Sequence, residues 1–205
     1  MSAQSLQPSL TLADDPLSTD CYSVRLLLAL LQLEYRAVYA DVEQPSQAFQ
    51  CPVLLGDPAV VGVMPILHDL VQRTQTESKW IPADVQAQMQ QWDEFNQQLK
   101  SSLGQLRQAN LAVDQFLDHE QQLKQQTQQS LLLLDDHLCE QSIRGQQFLL
   151  SEQHPTLADL IVFPQVALAW DAGVSLVPFL HIRRWINRLR HQPHFIPMPG
   201  LLAAS

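Results

Sequence analysis

Apolar and polar positions along this chain change their period more than once. Over Ser9–Asp14 (SLTLAD) they alternate, as in a half-buried strand, and Asp15-Pro16 ends the run. From Ser18 or Thr19 the period lengthens. Val24, Leu27, Leu28 and Leu31 stand at i, i+3, i+4, i+7, one face of a helix. Glu34–Val42 (EYRAVYADV) predicts a second strand, so the opening is a strand-helix-strand unit. Residues 43–62 hold Pro45, Pro52, Gly56, Pro58 and Gly62 and predict an irregular connection with at most one helical turn. Gly62–Leu67 predicts an extended segment with Leu70–Gln75 as its hairpin partner. Pro65 cannot donate to a strand ladder, so it calls for an edge position or a turn with a cis bond.

Beyond about residue 80 the pattern is helical. Val85, Met89, Trp92, Leu99, Leu103 and Leu106 mark one helix over Ala83–Leu106, and Asn110–Cys139 carries a second amphipathic run. Pro155-Thr156-Leu157-Ala158-Asp159 opens a mostly apolar third helix running to about Trp170, with Thr156 and Asp159 spaced as a capping box. Ile182, Trp185, Ile186 and Leu189 predict a further helix over His181–His191. The Gln-rich stretch Gln121–Gln129 is punctuated by Leu117, Leu123 and Leu131 and reads as a solvated helix face. The expected fold class is α/β plus all-α: an α/β domain over residues 1–80 and an all-helical domain over 83–205.

Composition narrows the functions open to such a chain. Its 205 residues, 46% of them hydrophobic, bury a core without a disulfide or metal staple. Twelve Lys and Arg against 21 Asp and Glu give a net charge of −9, which argues against nucleic acid as a partner. No apolar run approaches the roughly 20 residues that cross a bilayer, so no membrane association is expected. The stretch MSAQSLQPSLTL lacks the basic and apolar regions of a secretory signal, which predicts a cytoplasmic protein. Cys21, Cys51 and Cys139 form no CxxC pair, and Pro193 interrupts the His191/His194 pair, so no metal site is expected.

Four segments, in order, resemble the glutathione transferase family. Pro16-Leu17-Ser18-Thr19-Asp20-Cys21-Tyr22-Ser23-Val24-Arg25-Leu26 is similar to the family's turn into its first helix. In serine-type members the active serine precedes the first core Val by six residues, as Ser18 precedes Val24. Val63-Met64-Pro65-Ile66-Leu67 resembles the V-P-x-L segment, whose proline is cis, and Thr76-Glu77-Ser78 the T-[EQ]-S step that follows. Thr156-Leu157-Ala158-Asp159-Leu160 resembles the S/T-x-A-D box of the core helix. The resemblance, closest to serine-type theta- or zeta-like members, implies a thioredoxin-like amino-terminal domain, a helical carboxy-terminal domain and a homodimer.

It also implies a chemistry. Glutathione must be held as a thiolate, and a free thiol with pKa near 8.5 is mostly protonated at neutral pH. The Ser18 hydroxyl would donate to the sulfur, helped by the positive end of the helix behind it; the plainer alternative is that Ser18 only caps that helix. Cys21, in the first turn, would instead form mixed disulfides, although Asp20 beside it disfavours a thiolate; it is otherwise a small packed residue. Met64, before Pro65, would offer its backbone to the cysteinyl residue of the peptide. Glu77 and Ser78 would bind the γ-glutamyl group, or simply cap a helix. Arg25 is expected to be an ion partner rather than a catalyst. The resemblance further implies a basic or amide side chain for the glycine carboxylate, yet no Lys, Arg or His lies between Arg36 and His68, leaving Gln44, Gln47 and Gln50.

The function expected from the sequence is therefore a transferase joining glutathione, as co-substrate with no resident cofactor, to a small apolar electrophile between the domains. The alternatives are a Cys21-dependent thiol reductase of the same fold and a non-catalytic scaffold for protein partners.

Overall fold

The computed structural model describes residues 10–39, 52–111 and 119–199. Strand β1 (Leu10–Asp14) runs up the middle of a sheet, and helix α1 (Thr19–Leu30) returns the chain to β2 (Tyr35–Tyr39), parallel to β1. On the other side of β1 lies a short antiparallel hairpin, β3 (Val53–Leu55) and β4 (Val60–Val61), giving the order β2-β1-β3-β4 among the described residues. Leu12 pairs with Ala37 on one side and Leu54 on the other. Helix α1 packs against α2 (Val63–Arg73), which also touches β4, and the one-turn helix α3 (Glu77–Trp80) follows.

The opening unit forms as the sequence predicts; the segment after it does not. Val63–Arg73 is one helix rather than an extended segment and hairpin. Its buried residues Val63, Ile66, Leu67, Leu70 and Val71 recur at helical spacing. Pro65 sits third in this helix, where backbone N–H groups lack intrahelical partners and a missing one costs nothing. The strands lie earlier, inside the Pro- and Gly-rich stretch read as irregular, and at three and two residues are too short to show an alternation. Among the described residues the cis peptide bond precedes Pro58, in the β3–β4 turn, and not Pro65. The rest of that stretch, with Gln44, Gln47 and Gln50, lies outside the described residues.

The carboxy-terminal half is helical: α4 (Gln86–Leu99), a π-helical turn over Lys100–Gly104, α5 (Gln105–Leu111), α6 (Glu120–Ile143), α7 (Leu157–Ala167), a 3₁₀ turn over Ala169–Ala172 and α8 (Leu180–Arg190). Helix α6 turns Leu123, Leu131, Leu134 and Leu138 inward and leaves the glutamines of 121–129 exposed, as expected. Helix α7 is buried on nearly every side, which its almost continuous apolar sequence requires. It packs against α4 in its own half and against α1 in the other. No helix among the described residues is long and apolar enough to cross a membrane.

The Thr156–Asp159 capping box is present. Asp159, fully buried, accepts from Thr156 N (2.8 Å), Thr156 Oγ1 (2.9 Å), Leu149 N (3.0 Å) and Trp185 Nε1 (2.8 Å). One carboxylate thereby fixes the start of α7, the loop before it and α8. At the other end of the chain's contacts, buried Tyr22 on α1 donates to Ile196 O at 2.7 Å and stands beside Phe163 of α7. Burial pushes its phenol above the usual value, and Arg25 pulls the other way.

Replacing Asp159 by Ala leaves two backbone N–H groups and an indole N–H buried without acceptors. The expected loss is about 3 kcal/mol or more in urea unfolding, against about 1 kcal/mol for Thr156→Ala, which removes the cap and one donor to Asp159 but leaves the other three. Equal losses in the two variants would show that Asp159 does no more than cap α7.

Candidate functional site

The turn between β1 and α1 is built from short polar residues tied to their own backbone. Asp15 Oδ1 accepts from Leu17 N (2.9 Å), and Ser18 N donates to Asp15 O (3.2 Å). Ser18 is extended (φ −73°, ψ 125°) and caps α1, its Oγ accepting from Cys21 N at 3.2 Å. Arg25, nearly two turns further along, holds the turn from below. It pairs with the buried Asp14 carboxylate and donates to Asp15 O and Pro16 O, each at 3.1 Å. It is the ion partner its sequence position suggested.

This turn faces a cavity of about 490 Å³ between the two halves. Ser18, Thr19 and Asp20 form one wall; Lys100, Gly104, Arg107 and Gln108 form the other, with Gln165 of α7 beside them. Three ties cross it: Lys100 Nζ to Asp20 (2.7 Å), Gln165 Nε2 to Thr19 Oγ1 (2.7 Å) and Arg107 Nη1 to Leu17 O (3.1 Å). Arg107 is buried and its Nε also donates to Asp171 at 3.2 Å. Apart from Leu17 and Leu111 the lining side chains are polar, where the sequence expectation was a pocket for an apolar electrophile.

Of the residues singled out from sequence, Ser18 alone lines this cavity. Cys21 is fully buried, its Sγ accepting from Asp15 N at 3.4 Å. Met64 and Pro65 lie in the first turn of α2, and Glu77 and Ser78 are exposed on α3. Glu77 and Ser78 do open a helix, the one-turn α3, while the longer helix after β4 begins Gly62-Val63-Met64. The proline that heads a strand beside β1 is Pro52, not Pro65, and Cys51 before it is outside the described residues. Lys100, Arg107 and Gln165 were missed. A signal for the first two was present: they are the sole Lys or Arg between Lys79 and Lys124, seven residues apart on one helical stripe. Gln165 carried none.

No protein-family model and no curated protein matches the sequence. Solved structures do. A possible glutathione S-transferase from Rhodopseudomonas palustris superposes with a TM-score of 0.79 at 23% identity, covering 92% of this chain and 97% of that one. A glutathione S-transferase from Pseudomonas fluorescens Pf-5 gives 0.78 at 20%, covering 92% and 98%. A glutathione transferase family member from the same organism, with two glutathione bound, gives 0.74 at 18%, covering 94% and 92%. At these identities the likeness establishes the fold. It is the glutathione transferase fold, a thioredoxin-like half followed by a helical half.

The burial of Cys21 makes a direct expectation. Brief alkylation of the native protein with iodoacetamide should modify the half-buried Cys139 and leave Cys21 unmodified until the chain is denatured, read by peptide mass spectrometry. A Cys21 adduct formed in the folded state would favour the thiol-reductase alternative over the Ser18 chemistry.

Proposed function

We propose that this chain, built on the glutathione transferase fold, binds glutathione with its sulfur at Ser18 and transfers that thiolate to an electrophile held in the cleft between its halves. One observation carries the proposal. Ser18 heads α1 at the wall of the 490 Å³ cavity with its oxygen already accepting from Cys21 N–H, which leaves its own proton to donate toward a ligand. A sulfur anion there meets a hydroxyl donor and the positive end of a 12-residue helix. Each unit by which these lower the thiol pKa corresponds to about 1.4 kcal/mol of preference for the anion. The sulfur atom forms the new bond to the electrophile; the protein's share is to hold the anion and align the partners.

Glutathione's own carboxylates have fewer partners in this reading than the resemblance implied. Glu77 and Ser78, exposed on α3, remain proposed partners for the γ-glutamyl group, and Met64 and Pro65 remain proposed contacts through the start of α2. Its cap residue Gly62 contributes no side-chain bond, so backbone N–H groups are left for an anion. The resemblance also carries a cytoplasmic homodimer into the proposal. The apolar start of α2 favours one second reading, a glutathione transferase fold that serves as a scaffold without catalysis.

Calorimetric titration with reduced glutathione separates the two. We expect binding between the micromolar and low-millimolar range, and turnover of 1-chloro-2,4-dinitrobenzene that falls about 10- to 100-fold in Ser18→Ala at pH 6.5, the equivalent of one to two pKa units. Because Ser18 favours the anion, it lowers the thiol pKa. The pH-rate inflection should therefore move up toward about 8.5 in the variant, and the deficit should shrink by pH 9. Ser18→Ala also removes a cap worth about 1 kcal/mol, which thermal unfolding measures separately. No heat up to about 10 mM, an affinity below roughly 3 kcal/mol, would leave the scaffold.

A further inference from the structure

The wall opposite Ser18 is cationic in a chain of net charge −9. Lys100, Gly104 and Arg107 follow one another at i, i+4 and i+7, so they share a face along the π turn and α5. The Arg107 side chain is 9% exposed. Its Nε–H goes to Asp171 and one Nη1–H to Leu17 O, which fix the plane of the guanidinium. The Nη2 amine has no acceptor among the described residues, although Arg107 lines the cavity. That amine is open to the cavity, where an acceptor can meet it.

Gly104 supplies a second observation. Glycine is a poorer helix former than alanine, and a methyl group here would meet nothing nearer than Gln165 Oε1 at 3.6 Å, an ordinary contact. Packing therefore does not require a glycine. What its absence of side chain provides is an open recess in the cavity wall between the two cations. The acids lining the same space are already engaged, Asp20 with Lys100 and Asp15 with Leu17 N–H, and Asp171 behind the wall holds Arg107 Nε.

We infer that the electrophile taken by this cleft carries a carboxylate, seated on Arg107 and Lys100 over the bare backbone at Gly104. The planar fork of Arg107 matches the two oxygens of a carboxylate, and Lys100 has ammonium protons beyond the one given to Asp20. Leu17 and Leu111 receive the apolar body. This assignment rests on the electrophile's place in the cleft, not on how glutathione is held.

The test uses two pairs of probes that differ only in charge. Unreactive 3-nitrobenzoate and 3-nitrobenzamide report binding without glutathione. Reactive 4-chloro-3-nitrobenzoate and its amide report turnover, in which the sulfur–carbon bond forms, the carbon–chlorine bond breaks, chloride leaves with the electron pair and the thiol proton passes to solvent. We expect the full-length protein to bind the benzoate at least tenfold more tightly than the amide. Because Arg107 also holds Leu17 and Asp171, Lys100→Gln and Gly104→Ala carry the test. Lys100→Gln should cut the preference three- to tenfold. Gly104→Ala should cut it about tenfold while the thermal midpoint stays level or rises. Equal binding of benzoate and amide overturns the inference even with turnover intact, as does a preference that neither variant changes. A benzoate preference without turnover of either chloride overturns the transferase and keeps the anion site.

Discussion

Most of this structure depends on a single carboxylate that water never touches. Asp159 sits where the start of α7, the loop at Leu149 and the indole of Trp185 meet, and each of them donates to it. Burial alone raises its carboxyl above the usual carboxylate range, opposed by the hydrogen bonds from Thr156, Leu149 and Trp185. Such a group is costly to bury and more costly to leave half satisfied. Three separate segments must therefore arrive together, which gives the helical half one arrangement rather than several.

Helix α7, once fixed, serves as the post against which the other half is placed. Phe163 on α7 stands near Tyr22 of α1, and Gln165, two residues on, reaches Thr19 at the head of that helix. Directional polar contacts at the rim and aromatic packing behind it set where Ser18 lies relative to Lys100 and Arg107. The Arg25 clamp under residues 14–16 does the same from the sheet side. The cavity is thus bounded by elements whose positions are determined elsewhere, the arrangement that preorganised chemistry needs.

What could be read in the sequence was whatever one stretch of chain decides for itself. The alternation of SLTLAD, the stripe of Val24, Leu27, Leu28 and Leu31, and the Thr156–Asp159 spacing are local and became β1, α1 and the capping box. Val63–Arg73 was misread because Pro65 suggests a strand edge or turn when its neighbours are apolar, whereas inside a first helical turn it is neutral. The hairpin of β3 and β4 was hidden because five strand residues carry too little pattern, and their pairing with β1 is set across forty residues of chain. The site divides along the same line. Ser18 is marked by its own neighbours, while the Lys100–Asp20 and Gln165–Thr19 contacts join residues far apart in sequence. Only the isolation of Lys100 and Arg107 in a cation-free run hinted at them.

The bond from Tyr22 to the carbonyl of Ile196 joins positions 174 residues apart. As the chain is synthesised, α1 is complete long before its phenol has an acceptor, and the phenol is buried in the finished protein. The first helix is thus sealed by a segment that is made only after α8. A nascent chain stalled after α8 would hold every helix among the described residues and still carry a flaw in its first one, an unpaired hydroxyl in the core beside the turn that positions Ser18. Integrity of the amino-terminal site is, in that sense, a report that translation has passed Ile196.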